Sequence, residues 1–187
     1  MRAGAALERW YCRRMALWAG LLGRRRLALR WWERLHGLCP RDARVPESIA
    51  HLLAAEGDPR GAIAMLERAL GLDADRADAW FNLGFLRQQA GEHEAALAAF
   101  GRATALDARH DRAFYGKALS LLKLGRTVEA IAALRANVEL QPMSPYGWYQ
   151  LVHAHHRLGP HEQALRAMGP LGRLEPAGAR RAGPRTP

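Results

Sequence analysis

Material for a β-sheet is scarce in this chain, which has four Val and three Ile among 187 residues. Ala and Leu dominate its 49% hydrophobic content. Sheets pack with β-branched side chains, whereas Ala and Leu favour helix, so an all-α fold is expected. Lysine is nearly absent too: of 28 basic residues only Lys117 and Lys123 are Lys. That bias reads as GC-rich coding, in a small bacterial protein, and not as chemistry. The two cysteines, Cys12 and Cys39, have no metal or redox spacing and are expected as reduced thiols. Long apolar runs are missing. The best, Met15 to Gly23, is bounded by Arg13-Arg14 and Arg24-Arg25-Arg26; it is too short to span a bilayer and lacks a small-residue cleavage site. A cytoplasmic protein is expected. Also absent are a phosphate loop, a framed Ser, His and Asp set, and zinc spacing, so neither enzyme activity nor a cofactor is expected. His153, His155 and His156, with His161 nearby, come closest to a metal site. His153 and His156 share a helix face, but no carboxylate or Cys joins them there, and they read as groove-lining or solvated.

Charge is present but uneven. Residues 1–42 hold ten Arg against Glu8, Glu33 and Asp42, a net +7, and residues 170–187 hold four Arg against Glu175, a net +3. Residues 43–169 balance at zero. A nucleic-acid reader would more often carry a basic stripe along its working surface than two basic ends.

What dominates the sequence is a period. Gly23, Gly57, Gly91, Gly125 and Gly159 stand 34 residues apart, and each is followed five residues later by Ala28, Ala62, Ala96, Ala130 or Ala164. Leu38, Leu72, Leu106, Leu140 and Leu174 form a third column. A repeat of this length is one supersecondary unit that buries its apolar face on its neighbours. The glycines suit places where one helix stops and the next begins, in left-handed backbone. The alanines suit contacts where a larger residue would hold two helices apart. Asp58-Pro59 and Ser144-Pro145 read as caps followed by first-turn prolines. This register puts Ala96 and Ala130 at helix contacts and Ala99 on a more exposed face.

These residues resemble the tetratricopeptide repeat over 9–178. The unit 77–110 is closest, with Trp80, Leu83, Gly84, Ala96 and Phe100 in the family's places, though Arg87 and Ala108 depart from it. Units 9–42, 111–144 and 145–178 carry sparser matches, such as Ala16, Phe114, Ala118, Trp148 and Leu151, and unit 43–76 is plainer, with Pro46 at the tryptophan place, where a first-turn proline is tolerated. The resemblance implies a right-handed superhelical solenoid of five antiparallel helix pairs; residues 1–8 are left as a lead, and residues 179–187, basic and without an apolar stripe, are expected as a disordered tail. It also implies a concave groove lined by first helices, in a non-enzymatic adaptor or assembly factor that binds an extended protein segment.

Carried onto the last three units, the family's groove places fall on Phe81, Phe85, Gln88 and Gln89, then Arg112, Tyr115, Leu119, Leu122 and Lys123, then Tyr146, Tyr149, His153, His156 and Arg157. Aromatics interleaved with cations suit a protein or peptide with apolar anchors and some acidic character; the plainer reading packs several of these aromatics between units. The carboxylate clamp of chaperone-binding relatives is matched only at Asn82 and Arg112, with Glu47, His51 and Gly116 elsewhere. The first unit gathers Trp10, Trp18, Trp31 and Trp32 among its arginines. Its favoured reading has Trp32 and Trp18 filling an end core. The alternative makes the protein a peripheral membrane or nucleic-acid component docked through that unit. At the other end Gly169-Pro170 should stop the last helix, leaving Leu165, Met168, Leu171 and Leu174 uncovered and open to self-association.

Overall fold

The computed structural model describes residues 2–159. Among them the chain forms nine α-helices and no strand: α1 (Arg2–Leu21), α2 (Arg25–Leu38), α3 (Arg44–Glu56), α4 (Pro59–Leu72), α5 (Ala77–Gln89), α6 (His93–Leu106), α7 (Asp111–Lys123), α8 (Thr127–Leu140) and α9 (Pro145–Leu158). Each odd-numbered helix up to α7 packs on the even one after it, and each even helix on the next odd one. The result is the all-α solenoid of helix pairs. The residues expected as a lead belong to α1. The expected disordered tail and uncovered C-terminal leucines lie outside the described residues.

The repeat period acts first through its glycines. Gly23, Gly57, Gly91 and Gly125 have φ of 69°, 86°, 80° and 76°. At each, the glycine N–H donates to the carbonyl three residues back, and the next residue's N–H to the carbonyl five back, as in Gly57 to Ala54 and Asp58 to Leu53. This Schellman pair satisfies the orphan carbonyls of the first helix and reverses the chain. Gly159 departs from the expectation: its φ of −177° is extended backbone, so the in-phase glycine makes no left-handed turn there. The two proline caps also differ. Asp58 accepts from the Gly61 N–H at 2.9 Å, whereas Ser144 stands at the start of α9 without a side-chain cap bond.

The alanine column makes the helix contacts. Ala28, Ala62, Ala96 and Ala130 are fully buried. Beside this column, Phe100 of α6 is fully buried, between α5 and α7. A Cβ on Gly84 would stand 2.8 Å from its ring, and one on Gly116 would stand 2.5 Å from it. Two glycines therefore make the slot that one phenylalanine fills, a burial that contributes about 2–3 kcal/mol. Ala99 corrects the expected register: it is 1% exposed and packs in the core with Leu66, Leu83 and Leu86. The α6 helix is buried on a wider arc than its apolar pattern implied, because it meets helices on both sides. Trp18 is the other correction: it is exposed, and the end core is filled by Trp32 with Cys12, Ala16, Ala19 and Leu35.

Polar groups tie the units at the edges. The indole of Trp80 donates to the Ala74 carbonyl, and that of Trp148, two units on, to the Pro142 carbonyl. Arg13 pairs with Asp42 at 2.9 Å, and Arg87 pairs with Glu67; partly exposed pairs of this kind contribute at most about 1 kcal/mol each. His36 is less comfortable, since neither ring nitrogen has a hydrogen-bond partner among the described residues. Burial, assisted by Arg68, pushes its pKa below the ordinary 6.5.

Gly116→Ala should cost about 1–3 kcal/mol in a urea melt, whereas Gly101→Ala, in open space on the same solenoid, should stabilise by about 0.5–1 kcal/mol; Ala99→Leu should join Ala96→Leu among the damaging changes. Because His36 is held neutral by the fold, folding stability should fall as pH drops through about 6.5 towards its lowered folded pKa. Chemical denaturation of His36→Gln across that window should show a flatter pH profile than the parent chain.

Candidate functional site

First helices in such a stack leave one side without a neighbour, and α1, α3 and α5 together form a groove of about 1270 Å³. Its apolar wall includes Leu17, Leu21, Trp32, Leu52, Phe85 and Leu86. The polar side chains in it are Arg44, Glu47, Ser48, His51, Arg76 and Asn82, with Arg112 reaching in from α7. Several of these are already occupied. Glu47 accepts from Arg76, with the Arg76 Nε at 3.0 Å, and the Ser48 hydroxyl donates to the Arg44 carbonyl. Arg44 and Arg112 meet no acid among the described residues. The groove therefore offers apolar surface and two uncompensated guanidinium groups.

An aromatic stack braces one end of it. Phe81 lies over Phe85 with centroids 6.4 Å apart and near-parallel planes, and touches Phe100 and His110 on its other sides. The Arg112 guanidinium sits 4.9 Å from the Phe81 ring centroid, a cation–π contact that holds it at the groove edge. His110 is 6% exposed and caps α7: its Nδ1 accepts from the Ala113 N–H at 3.3 Å. That leaves the proton on Nε2, which faces Asp78 Oδ1 at 3.4 Å.

The sequence-expected groove residues separate into three groups. Phe81, Phe85 and Arg112 border the large groove. Tyr149, His153 and Arg157 border a smaller hollow of about 410 Å³ with Leu122, Gln150 and Ala154; Tyr149 and His153 meet edge to face at 4.5 Å. The others line neither. Gln89, Lys123, Tyr146 and His156 are exposed, while Leu119 and Tyr115 are half-buried, Tyr115 against the core of units four and five. Gln88 serves the fold instead: its amide donates to the Gly116 carbonyl at 3.0 Å and to the buried Ser120 hydroxyl at 2.8 Å, linking α5 to α7.

The larger of these two hollows thus lies mainly in units one to three and meets the expected groove of units three to five at Phe81, Phe85 and Arg112. Leu17 and Leu21, like Arg44 and His110, were not among the residues the sequence singled out. Among the described residues no group of three His, Cys, Asp or Glu could hold a metal ion, and no helix is long and apolar enough to cross a membrane. Burial, with Arg135 nearby, pushes the His155 imidazole below its ordinary pKa.

Comparison with known proteins agrees with this architecture. Residues 53–119 match the family model described as Tetratricopeptide repeat. The crystal structure of MamA protein superposes with a TM-score of 0.81 at 21% identity, over 86% of this chain and 87% of that one. MamA 41-end from Desulfovibrio magneticus RS-1 gives 0.79 at 19% identity, over 86% and 90%. YrrB, a TPR protein with an unusual peptide-binding site, gives 0.74 at 20% identity, over 81% and 78%. At such identities the likeness is one of fold. No curated protein matches the sequence.

The two hydrogen bonds donated by the Gln88 amide separate structure from binding. Gln88→Ala should cost about 1–3 kcal/mol of folding stability by leaving Ser120 buried without its partner. Thermal melts of Gln88→Ala and of Gln89→Ala, which should be near silent, check the assignment.

Proposed function

We propose that this chain, a tetratricopeptide-repeat protein, is a non-enzymatic adaptor or assembly factor that holds an extended segment of another protein in the groove of α1, α3 and α5. The observation that carries the reading is the groove's composition. Exposed Phe85 and the leucines of α1 provide apolar anchorage, and large side chains of this kind supply most of the energy in protein contacts. Arg44 and Arg112 add charge that Glu47, engaged by Arg76, does not offset. A segment with apolar anchors and an acidic residue between them fits those features, since guanidinium groups bind carboxylates with two parallel hydrogen bonds. The smaller hollow at Tyr149, His153 and Arg157 extends the same chemistry towards unit five. Pre-formed walls support the reading further: the stack from Phe100 through Phe81 to Phe85 is ordered by the core, so little side-chain freedom is lost on binding.

A peptide-display selection on the full chain tests it. Enriched sequences should combine apolar and acidic residues. Phe85→Ala should weaken a selected peptide by about 1–2 kcal/mol in calorimetry without lowering the melting temperature. Arg112→Glu should do the same and lose part of its effect at high salt. Selected peptides indifferent to both substitutions, or no enrichment, would refute groove binding.

A further inference from the structure

The outward side of α1 carries a second surface that the groove does not use. Cys12, Ala16 and Ala19 bury the inner side of this helix in the end core. Well round the helix from them, at steps of four, three and four, stand Leu7, Tyr11, Arg14 and Trp18, with Trp10 beside Arg14 and Leu22 in the turn just past the helix end; such steps keep one face of a helix. Leu7, Trp10, Trp18 and Leu22 are 66%, 58%, 57% and 67% exposed, values far from those of packed side chains. One and two repeats on, the place of Tyr11 is taken by Val45 and Ala79, which are fully buried, and that of Trp18 by Leu52 and Leu86, which pack against the preceding unit. α1 has no such neighbour among the described residues.

The charges around this face share one sign. Arg14 stacks on Trp10 at 5.5 Å, and Arg34 stacks on Trp31, which meets Tyr11 edge to face. The acids of the first unit are largely spent: Glu8 is held by Arg34 at 2.6 Å and Asp42 by Arg13. Arg9, Arg24 and Arg30 are exposed and pair with no acid among the described residues.

We propose that this face of α1 docks the protein on an anionic membrane surface. The helix lies in the interface, with Trp10, Tyr11 and Trp18 among the headgroups and the arginines of α1 and α2 on lipid phosphates. Tryptophan and tyrosine favour that depth because each has an apolar body and a polar tip. Arginine's planar fork matches phosphate oxygens, and the combination of apolar residues with unpaired cations on one helix is what interfacial helices require. A second copy on the same face would set two regions of net +7 against each other, and a nucleic acid would leave Leu7, Trp18 and Leu22 uncovered. The groove would then hold its segment beside the bilayer, since Leu17 and Leu21 of the same helix line its wall. Docking itself does not depend on the groove reading.

Flotation of the full chain with vesicles of phosphatidylcholine alone, or mixed with phosphatidylglycerol, tests the proposal. Binding should require phosphatidylglycerol and should shift tryptophan emission to shorter wavelength. The pair Trp10→Ala and Trp18→Ala, outside both core and groove, should lower the partition coefficient about tenfold. The pair Arg24→Glu and Arg30→Glu should lower it similarly, with a difference that shrinks as salt rises. Equal binding to neutral vesicles, binding to neither, or binding untouched by both double variants would overturn the proposal. So would lipid-free dimerisation removed by the tryptophan substitutions, which would make a second copy the occupant, or tighter retention of duplex DNA than of the anionic vesicles.

Discussion

Helix axes in this solenoid approach one another at residues too small to keep them apart. Where Ala62, Ala96 and Ala130 sit, the backbones of a pair come close enough for the larger side chains on either side to interdigitate, and interiors packed to crystal density tolerate little deviation. Phe100 shows how strict the condition is. Its ring fills space that exists only because residues 84 and 116, on two different helices, have no Cβ. Removal of either condition, the small residue or the large one that uses its space, spoils the fit between three consecutive helices.

Close approach on the packed side has a consequence for the open side. Second helices pack between successive first helices, and among the described residues α1, α3 and α5 line one open groove. Side chains lining it are ordered from behind by the core and free in front, as Phe81 is between Phe100 and Phe85. The charges follow the same division. Edge pairs such as Arg13–Asp42 and Glu47–Arg76 consume acids near the units' seams, which leaves Arg44 and Arg112 at the groove and Arg9, Arg24 and Arg30 in the first unit without an acid among the described residues.

Much of this was legible from residue spacing. The glycine period implied left-handed turns, and four of them exist; the alanine period implied helix contacts, which are fully buried wherever described. Departures share one cause. Ala99 looked exposed because the apolar arc of α6 was judged from one packing partner when the helix has one on each side. Trp18 looked like core material because its size and hydrophobicity say nothing about which side of α1 faces α2. Gln88 looked like groove surface because the partners that claim its amide, on Gly116 and Ser120, belong to the following unit.

The sequence by itself determined the all-α class and the glycine and alanine periods, because these depend on residues near one another along the chain: glycine ends a helix locally, and Ala and Leu favour helix over strand. Tertiary structure alone decided where the larger hollow lies, which of its cations lack acids among the described residues, and that α1 presents an apolar face outward. Those properties depend on curvature and on pairings between residues most of a repeat apart, such as Arg76 with Glu47 and Arg34 with Glu8, and no local pattern encodes which of several arginines a given carboxylate will take.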